Sequence, residues 1–451
     1  MSGNKIEELK HTKVSINGGG CVIILDTGSV IGPESSAMLQ ALHSRSTSGL
    51  EGHLEILAKR GSENFMKNFY VGYGHKSIGD CGTASIFIEG VSMLVAKAIQ
   101  DWPLYSGQES STRYVDFKVQ PFKNPMKSEE GDKILETWRE FYKDSFEQTV
   151  TDLKIQFPIG EGESESIYIK AINARAFDIL RGFLPAGAVT NLAWSTNLRQ
   201  AADKLLVLRH HPILEVRETA EAIEKALNEA FPNSFGHKHY EATEDYNKYC
   251  MENDYYYHNK ECPDFEMTSN NINRKLLPKE TLSRRPAKTE LPKHLGEAGV
   301  LQFEFLLDFG SFRDIQRHRA IIQRMPLLTT ELGFEEWYIN ELPESIREKA
   351  KALLKVQEEK IKSLPISKEE KQYYTVMGYK ISNRITGNFP SLVYLAELRA
   401  TRFVHPTLRK RAKQLADTLS ETFGQDGLTM HLDEELDRFD IKRGEQDIVL
   451  K

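Results

Sequence analysis

Two short polar clusters carry the residue types that chemistry on a phosphorylated ligand requires. The first is Gln108-Glu109-Ser110-Ser111-Thr112-Arg113-Tyr114, which gathers a carboxylate, hydroxyls and a guanidinium at short spacing. Arg113 and Ser111 suit a phosphate, because a guanidinium donates bidentately to phosphate oxygens. Glu109 suits a hydrogen bond from a base or ribose. The same composition also describes an ordinary polar loop with a surface ion pair. The second cluster is Arg317-His318-Arg319, with Arg313 and Arg324 nearby, following an apolar strand-like run. On a helix Arg313 and Arg317 share a face. Such a face fits phosphate or pyrophosphate, and it fits equally a solvated basic surface balanced by Glu331, Glu335 and Glu336.

Two further groups are less specific. Asn197-Leu198-Arg199 follows Ser195-Thr196, so Thr196 or Asn197 is placed to cap a helix. Arg199 then falls in the first turn, where the helix dipole disfavours a cation. That mismatch points weakly to a ligand anion, although capping alone accounts for Asn197. His75-Lys76-Ser77 follows Gly72 and Gly74. It is too short for a phosphate loop, and the chain has no Walker or dinucleotide glycine pattern. It also has no nucleophile elbow and no zinc-protease motif.

The elements that must position these groups are partly legible. Cys21 to Leu25 reads as a strand, and residues 35–70 as helical. Residues 83–99 read as a strand entering a helix. Between Leu135 and Leu153 the apolar residues recur every three or four positions, which predicts an amphipathic helix. Further helices are expected at 166–183, 197–208 and 213–230. The stretch 232–292 is rich in Tyr, Asn, Lys and Pro and has no sustained period, so it reads as a connector packed across a domain surface. The aromatics Tyr255-Tyr256-Tyr257 argue against plain disorder.

Composition narrows the class. At 451 residues the chain is too long for one ordinary core, so two or three domains are expected. A net charge of -6 argues against a general nucleic-acid binder. No apolar run is long enough to cross a membrane, and the polar start lacks the apolar segment of a signal peptide, so a cytoplasmic protein is expected. The four cysteines, Cys21, Cys81, Cys250 and Cys262, make neither a disulfide scaffold nor a zinc site. Reduced, mostly buried thiols are expected, and no metal.

An internal repeat is also visible. His211-Pro212-Ile213-Leu214 is followed by Arg217, and His405-Pro406-Thr407-Leu408 by Arg411 at the same offset. Arg209 precedes the first copy and Arg402 the second. Each copy closes a segment that begins with an apolar run, Phe87 to Val91 or Phe303 to Leu307. A duplicated domain is the economical reading.

Taken together the clusters resemble the flavin-dependent thymidylate synthase family. Its signature is an Arg-His-Arg triplet, seven residues and a Ser, within a stretch that ends in a Glu-x-Ser-x-Arg-Tyr loop. Ser111 falls on its Ser, Glu109 on its Glu and Arg113 on its Arg. His75-Lys76-Ser77 is similar to its upstream His-x-Ser. Arg181 with Leu184-Pro185, Asn197-Leu198-Arg199, Arg209 and His211 resemble its C-terminal ligand-binding segment. The triplet, however, is replaced by Asp101-Trp102-Pro103 in the first half and occurs as Arg317-His318-Arg319 in the second. There the Ser position is Leu327, and Ser391 and Val393 stand at about the place of Asn-x-Arg. The losses are complementary.

The resemblance implies an α+β fold of two tandem domains, each a mixed sheet with packed helices. The first domain is expected at 1–232, a connector at 233–290 and the more divergent second domain at 291–451. It implies reductive methylation of dUMP to dTMP, with methylenetetrahydrofolate and NADPH as co-substrates and FAD as cofactor. It implies a homodimer that mimics the family tetramer, with the triplet from one half and the Glu-x-Ser-x-Arg loop from the other. It assigns catalytic roles to Arg317, Ser111 and Glu109. Substrate binding falls to Arg113, Ser111, Glu109, Arg181 and Arg209. Cofactor binding falls to His75, Ser77, Asn197, Arg199, Arg317, His318 and Arg319. A related enzyme on another pyrimidine nucleotide, or a non-catalytic nucleotide- or flavin-binding homologue, is the alternative. Trp102 and Leu327 are expected to fill the vacated positions.

Overall fold

The strand Thr83–Ser92, here β3, shows how the sequence writes the frame. Ala84, Ile86 and Ile88 are buried while the residues between them are not, the period-two signature of a strand with one covered face. The alternation breaks at Gly90, which takes φ +71 beside a register shift between Ile88 and Val91. A Cβ there would meet the Gly20 backbone at 2.9 Å, so this bulge needs glycine. Beyond it the chain turns into the helix Met93–Gln100, all of whose residues are buried. Ser92 caps that helix, its Oγ accepting from the Val95 N–H.

The computed structural model describes residues 11–25, 32–44, 49–72, 74–110 and 117–434. Two compact units interleave along the chain: residues 1–112 with 189–255, and residues 113–188 with 256–451. The architecture is mixed α and β, with several sheets.

The first unit is built on a five-stranded sheet. Its strands are β1 (His11–Ser15), β2 (Cys21–Leu25), β3, β4 (Ser106–Glu109) and β5 (Val189–Asn197), in the order β1-β2-β3-β5-β4. Every pairing is antiparallel. β5 leads into the helix Leu198–Leu208, capped by Asn197, and then Leu214–Ala230.

The second unit contains β6 (Tyr256–Tyr257), β7 (Phe265–Asn270), β8 (Val300–Asp308), β9 (Ile322–Gln323), β10 (Met325–Pro326) and β11 (Lys380–Asn388). Its main sheet runs β7-β8-β11-β9, again antiparallel. β6 and β10 form a separate parallel pair. β8 enters the helix Phe309–Ile315 and β11 the helix Phe389–Arg399, followed by Pro406–Phe423.

The duplication expected from the repeat is present in the backbone. Thr83 pairs with Asn197 in the first unit, and Val300 with Asn388 in the second. Ser92 and Asp308 both cap the helix that follows, as do Asn197 and Asn388. β4 begins fourteen residues after Ser92, and Ser106 pairs with Ser195, two before the cap Asn197. β9 begins fourteen residues after Asp308, and Ile322 pairs with Thr386, two before the cap Asn388.

A helical layer completes the second unit. The helix Glu129–Gln156 buries Leu135, Trp138, Tyr142, Val150 and Leu153 of the predicted stripe, with Phe146 half-buried. Trp138 Nε1 donates to the Tyr374 carbonyl at 3.1 Å, and Gln357 of the helix Glu344–Ser363 donates to the Ile134 carbonyl at 3.0 Å. Segments 182–187 and 373–378 exchange backbone hydrogen bonds reciprocally: Ala186 to Thr375, Met377 to Leu184, Gly187 to Tyr373 and Gly378 to Gly182. Pro185 faces Val376, each twelve residues before its copy's capping Asn, so equivalent segments of the two copies pair with each other.

Some expectations change. The stretch 232–292 holds the helix Glu241–Asn253 and the strand β7, both missed because their apolar residues are few and irregular. β5 was also missed, its alternation masked by Thr, Asn and Ser. The register puts Asn388 at the place of Asn197, so the second copy keeps that Asn. Ser391 is instead the residue whose N–H the Asn388 side chain receives. Pro390 stands where the first copy has Arg199.

Candidate functional site

The register fixes which residues of the two copies correspond. Asp101, Trp102 and Pro103 stand nine, ten and eleven residues after the cap Ser92. Arg317, His318 and Arg319 stand at the same three distances from Asp308. The same element therefore carries opposite chemistry in the two units.

In the second unit the triplet alternates out, in, out. Arg317 and Arg319 are exposed and His318 is buried. Arg399, at the end of the helix Phe389–Arg399, donates from Nε to His318 Nε2 at 2.7 Å and from Nη2 to the Asp314 carbonyl at 2.8 Å. Burial, then the Arg399 and Arg317 cations, bring the His318 pKa down to about 3 in spite of Asp314. His318 is thus a neutral acceptor at neutral pH. Burial would raise the Asp314 pKa, but Arg317, Arg181, Arg399 and Arg313 outweigh it and hold the carboxylate ionised. Arg317 lies 3.6 Å from Asp314 with a side chain 61% exposed. Arginines thus outnumber the one carboxylate, and the exposed Arg317 and Arg319 suit an anion.

In the first unit the corresponding corner carries no guanidinium, and its polar groups are engaged within the unit. Lys204 donates to the Asp101 carbonyl at 2.7 Å. Burial lowers the Lys204 pKa to about 8, partly offset by Asp101, and burial raises that of Asp101. Trp102 Nε1 donates to Gln200 Oε1 at 3.0 Å. Leu327, at the Ser111 position of the second copy, is buried.

The other sequence candidates are dispersed. Glu109 is sealed inside the first unit, 2.9 Å from Lys97 Nζ, and it accepts from Gln100 Nε2 at 2.9 Å. Ser111 and Arg113 lie outside the described residues. Asn197 spends its side-chain oxygen on the Gln200 N–H at 2.8 Å. His75 and Ser77 are exposed around the short helix Lys76–Gly79.

Arg199 and Arg209 do converge, on a cavity of about 300 Å³ in the first unit. Tyr70, Lys76, Asp203, His237, His239 and Glu244 are among its other lining residues. Arg199 pairs with Asp80 at 2.8 Å, and Arg209 contacts His239 at 3.0 Å near Glu224 and Glu244. Arg181 belongs to the second unit and is buried, donating to Ser311 Oγ at 3.3 Å. Burial opposes its charge, but Tyr338, Asp178, Asp308 and Asp314 raise its pKa above the ordinary value.

Sequence reasoning missed Lys97, Lys204 and Arg399, the polar groups that decide which candidates face solvent. Only Arg399 had a signal, as a basic residue ending a helix beside the triplet. Among the described residues no group of His, Cys, Asp and Glu could hold a metal ion, and no helix is long and apolar enough to cross a membrane.

Residues 31–233 match the family described as thymidylate synthase complementing protein. Similar proteins include a UPF0159 protein of Chlamydia muridarum, 27% identical over 78% of this chain and 78% of its own length. One of Thermoplasma acidophilum is 25% identical over 77% of this chain and 84% of its own. The match to this family covers residues 31–233, and relatives of similar length support reading the chain as similar to a divergent member of it. That family is flavin-dependent.

Proposed function

We propose that the protein is a flavin-dependent thymidylate synthase that methylates dUMP to dTMP with methylenetetrahydrofolate and NADPH, and that it works as a homodimer. The observation that carries this reading is the second unit's triplet. Arg317 and Arg319 face solvent on either side of a neutral, buried His318, nine to eleven residues after the cap Asp308. Two exposed guanidiniums two residues apart fit the pyrophosphate of FAD. The first unit's Asp101-Trp102-Pro103 does not fit it, because it offers no cation and its one ionisable group is a desolvated carboxyl.

Bound flavin would supply the hydride for reduction at the nucleotide carbon, so no thiolate nucleophile is needed. The thiols agree with this: burial raises the pKa of Cys21 and Cys81 and pushes that of Cys262 up to about 11. Arg317 and Arg319 would bind and orient the anionic part of the ligand. Arg399 keeps His318 in the tautomer with its proton on Nδ1, since Nε2 is the acceptor.

A second reading, a nucleotide-binding relative without methyl transfer, is favoured by Glu109. That carboxylate is 4% exposed and committed to Lys97 and Gln100. Incubation of the purified protein with FAD, NADPH, methylenetetrahydrofolate and dUMP, followed by chromatography for dTMP, separates the two. Formation of dTMP that is lost in Arg317→Ala supports the synthase. Retained dUMP binding without dTMP supports the second reading.

A further inference from the structure

We propose that Tyr394 is the stacking residue of the second unit's ligand surface. It would hold the planar ring of a phosphorylated heteroaromatic ligand whose phosphate or pyrophosphate lies on Arg317 and Arg319. This rests on the reading above and adds a residue that no motif assigns.

The argument begins with helical spacing. Tyr394 and Leu398 lie four residues apart on the helix Phe389–Arg399, hence on one face. They are 44% and 42% exposed, while Leu392, Val393, Leu395 and Ala396 of the same helix are buried. The Tyr394 ring centre is 6.0 Å from that of His318. Arg399, five residues on, donates to His318 and to the Asp314 carbonyl, and Asp314 in turn pairs with Arg317. Tyr394, His318, Arg399, Asp314 and Arg317 are therefore linked in one chain of contacts, and the exposed Arg319 follows His318 directly in sequence.

The first unit shows what the corresponding position becomes in the other copy. Tyr394 lies six residues after the cap Asn388. Asp203 lies six residues after the cap Asn197. There an acidic side chain replaces the aromatic one and lines a cavity with His237, His239 and Tyr240 from the chain's own following stretch. An open aromatic face beside surplus positive charge matches a ring that carries a phosphate, since stacking on tyrosine and guanidinium–phosphate pairing are the two parts of such recognition.

The full-length protein is titrated separately with FAD, by flavin fluorescence, and with dUMP, by calorimetry. The series is wild type, Tyr394→Phe and Tyr394→Ala, with thermal unfolding as the folding control. Tyr394→Ala is expected to weaken the ligand that binds here by about tenfold or more, with Tyr394→Phe close to wild type and unfolding unchanged. The arm that responds identifies the ring as flavin or pyrimidine. Wild-type affinity in Tyr394→Ala overturns this proposal and leaves the proposed function standing. An equal loss in Tyr394→Phe overturns stacking in favour of the hydroxyl. Binding of neither ligand by wild type overturns both.

Discussion

The two copies of the strand–helix frame share backbone register and differ in what they do with charge. In the first unit, Lys97 meets Glu109, Lys204 donates to the Asp101 backbone carbonyl, and Arg209 sits near two glutamates. In the second, Arg317, Arg181, Arg399 and Arg313 all act on the single carboxylate of Asp314, and Arg317 and Arg319 face solvent. Identical folding constraints thus permit either a closed, self-paired corner or an open cationic one. The lesson is that register preserves positions, while the partner supplied by a neighbouring helix decides whether a charge is structural or available to a ligand.

The largest expected effect tests the closed corner. Glu109→Ala leaves Lys97 buried without its carboxylate, and the cost of breaking such a pair is about 3–5 kcal/mol. Urea denaturation should show that loss. An unchanged midpoint, with loss of nucleotide binding alone, would make Glu109 a ligand contact instead.

The open corner should behave in the opposite way. The Arg317→Ala/Arg319→Ala double variant is expected to lose flavin or nucleotide affinity by about a hundredfold, near 2.7 kcal/mol. Because both side chains are exposed, unfolding should barely move. Wild-type affinity in this variant would remove the distinction between the copies.

Acid should destabilise both units through one histidine each. His211 and His318 have folded pKa values of about 3, from burial first and neighbouring cations next, against an ordinary 6.5. The folded state therefore binds fewer protons than the unfolded chain between these limits. Stability is full above pH 6.5 and falls as pH is lowered towards 3. A stability profile that is flat across that window would show that the imidazoles are not held neutral. His318→Gln should remove the second unit's share of the slope.

The smallest effects should be equal. Asn197→Ala and Asn388→Ala each remove a helix cap and should cost about 1 kcal/mol. A much larger loss at Asn197 accompanied by lost flavin would assign it a ligand role beyond the cap.

Much of the frame was legible. The helix Glu129–Gln156 followed from its apolar stripe, β3 and its helix from the change of period, and the duplication from His211-Pro212 and His405-Pro406. β5 and the helix Glu241–Asn253 were not, because polar residues interrupt their patterns and packing supplies their order. Of the site, the sequence located the triplet and its replacement, and the register supports that correspondence. It also placed Asn388 three residues too late, as Ser391, because nothing local marks a capping Asn apart from its hydrogen bond.

By itself the sequence determined the repeat, the helix and strand periods and the residue types able to hold an anion, since these are properties of spacing and chemistry. Only the tertiary structure decided which candidates remain open. Arg181 and Glu109 read in the sequence like Arg317, yet both are buried and paired with groups more than a hundred residues away or on a neighbouring element. Exposure depends on which helix packs over a side chain, and that is set by long-range contact, which no local pattern records.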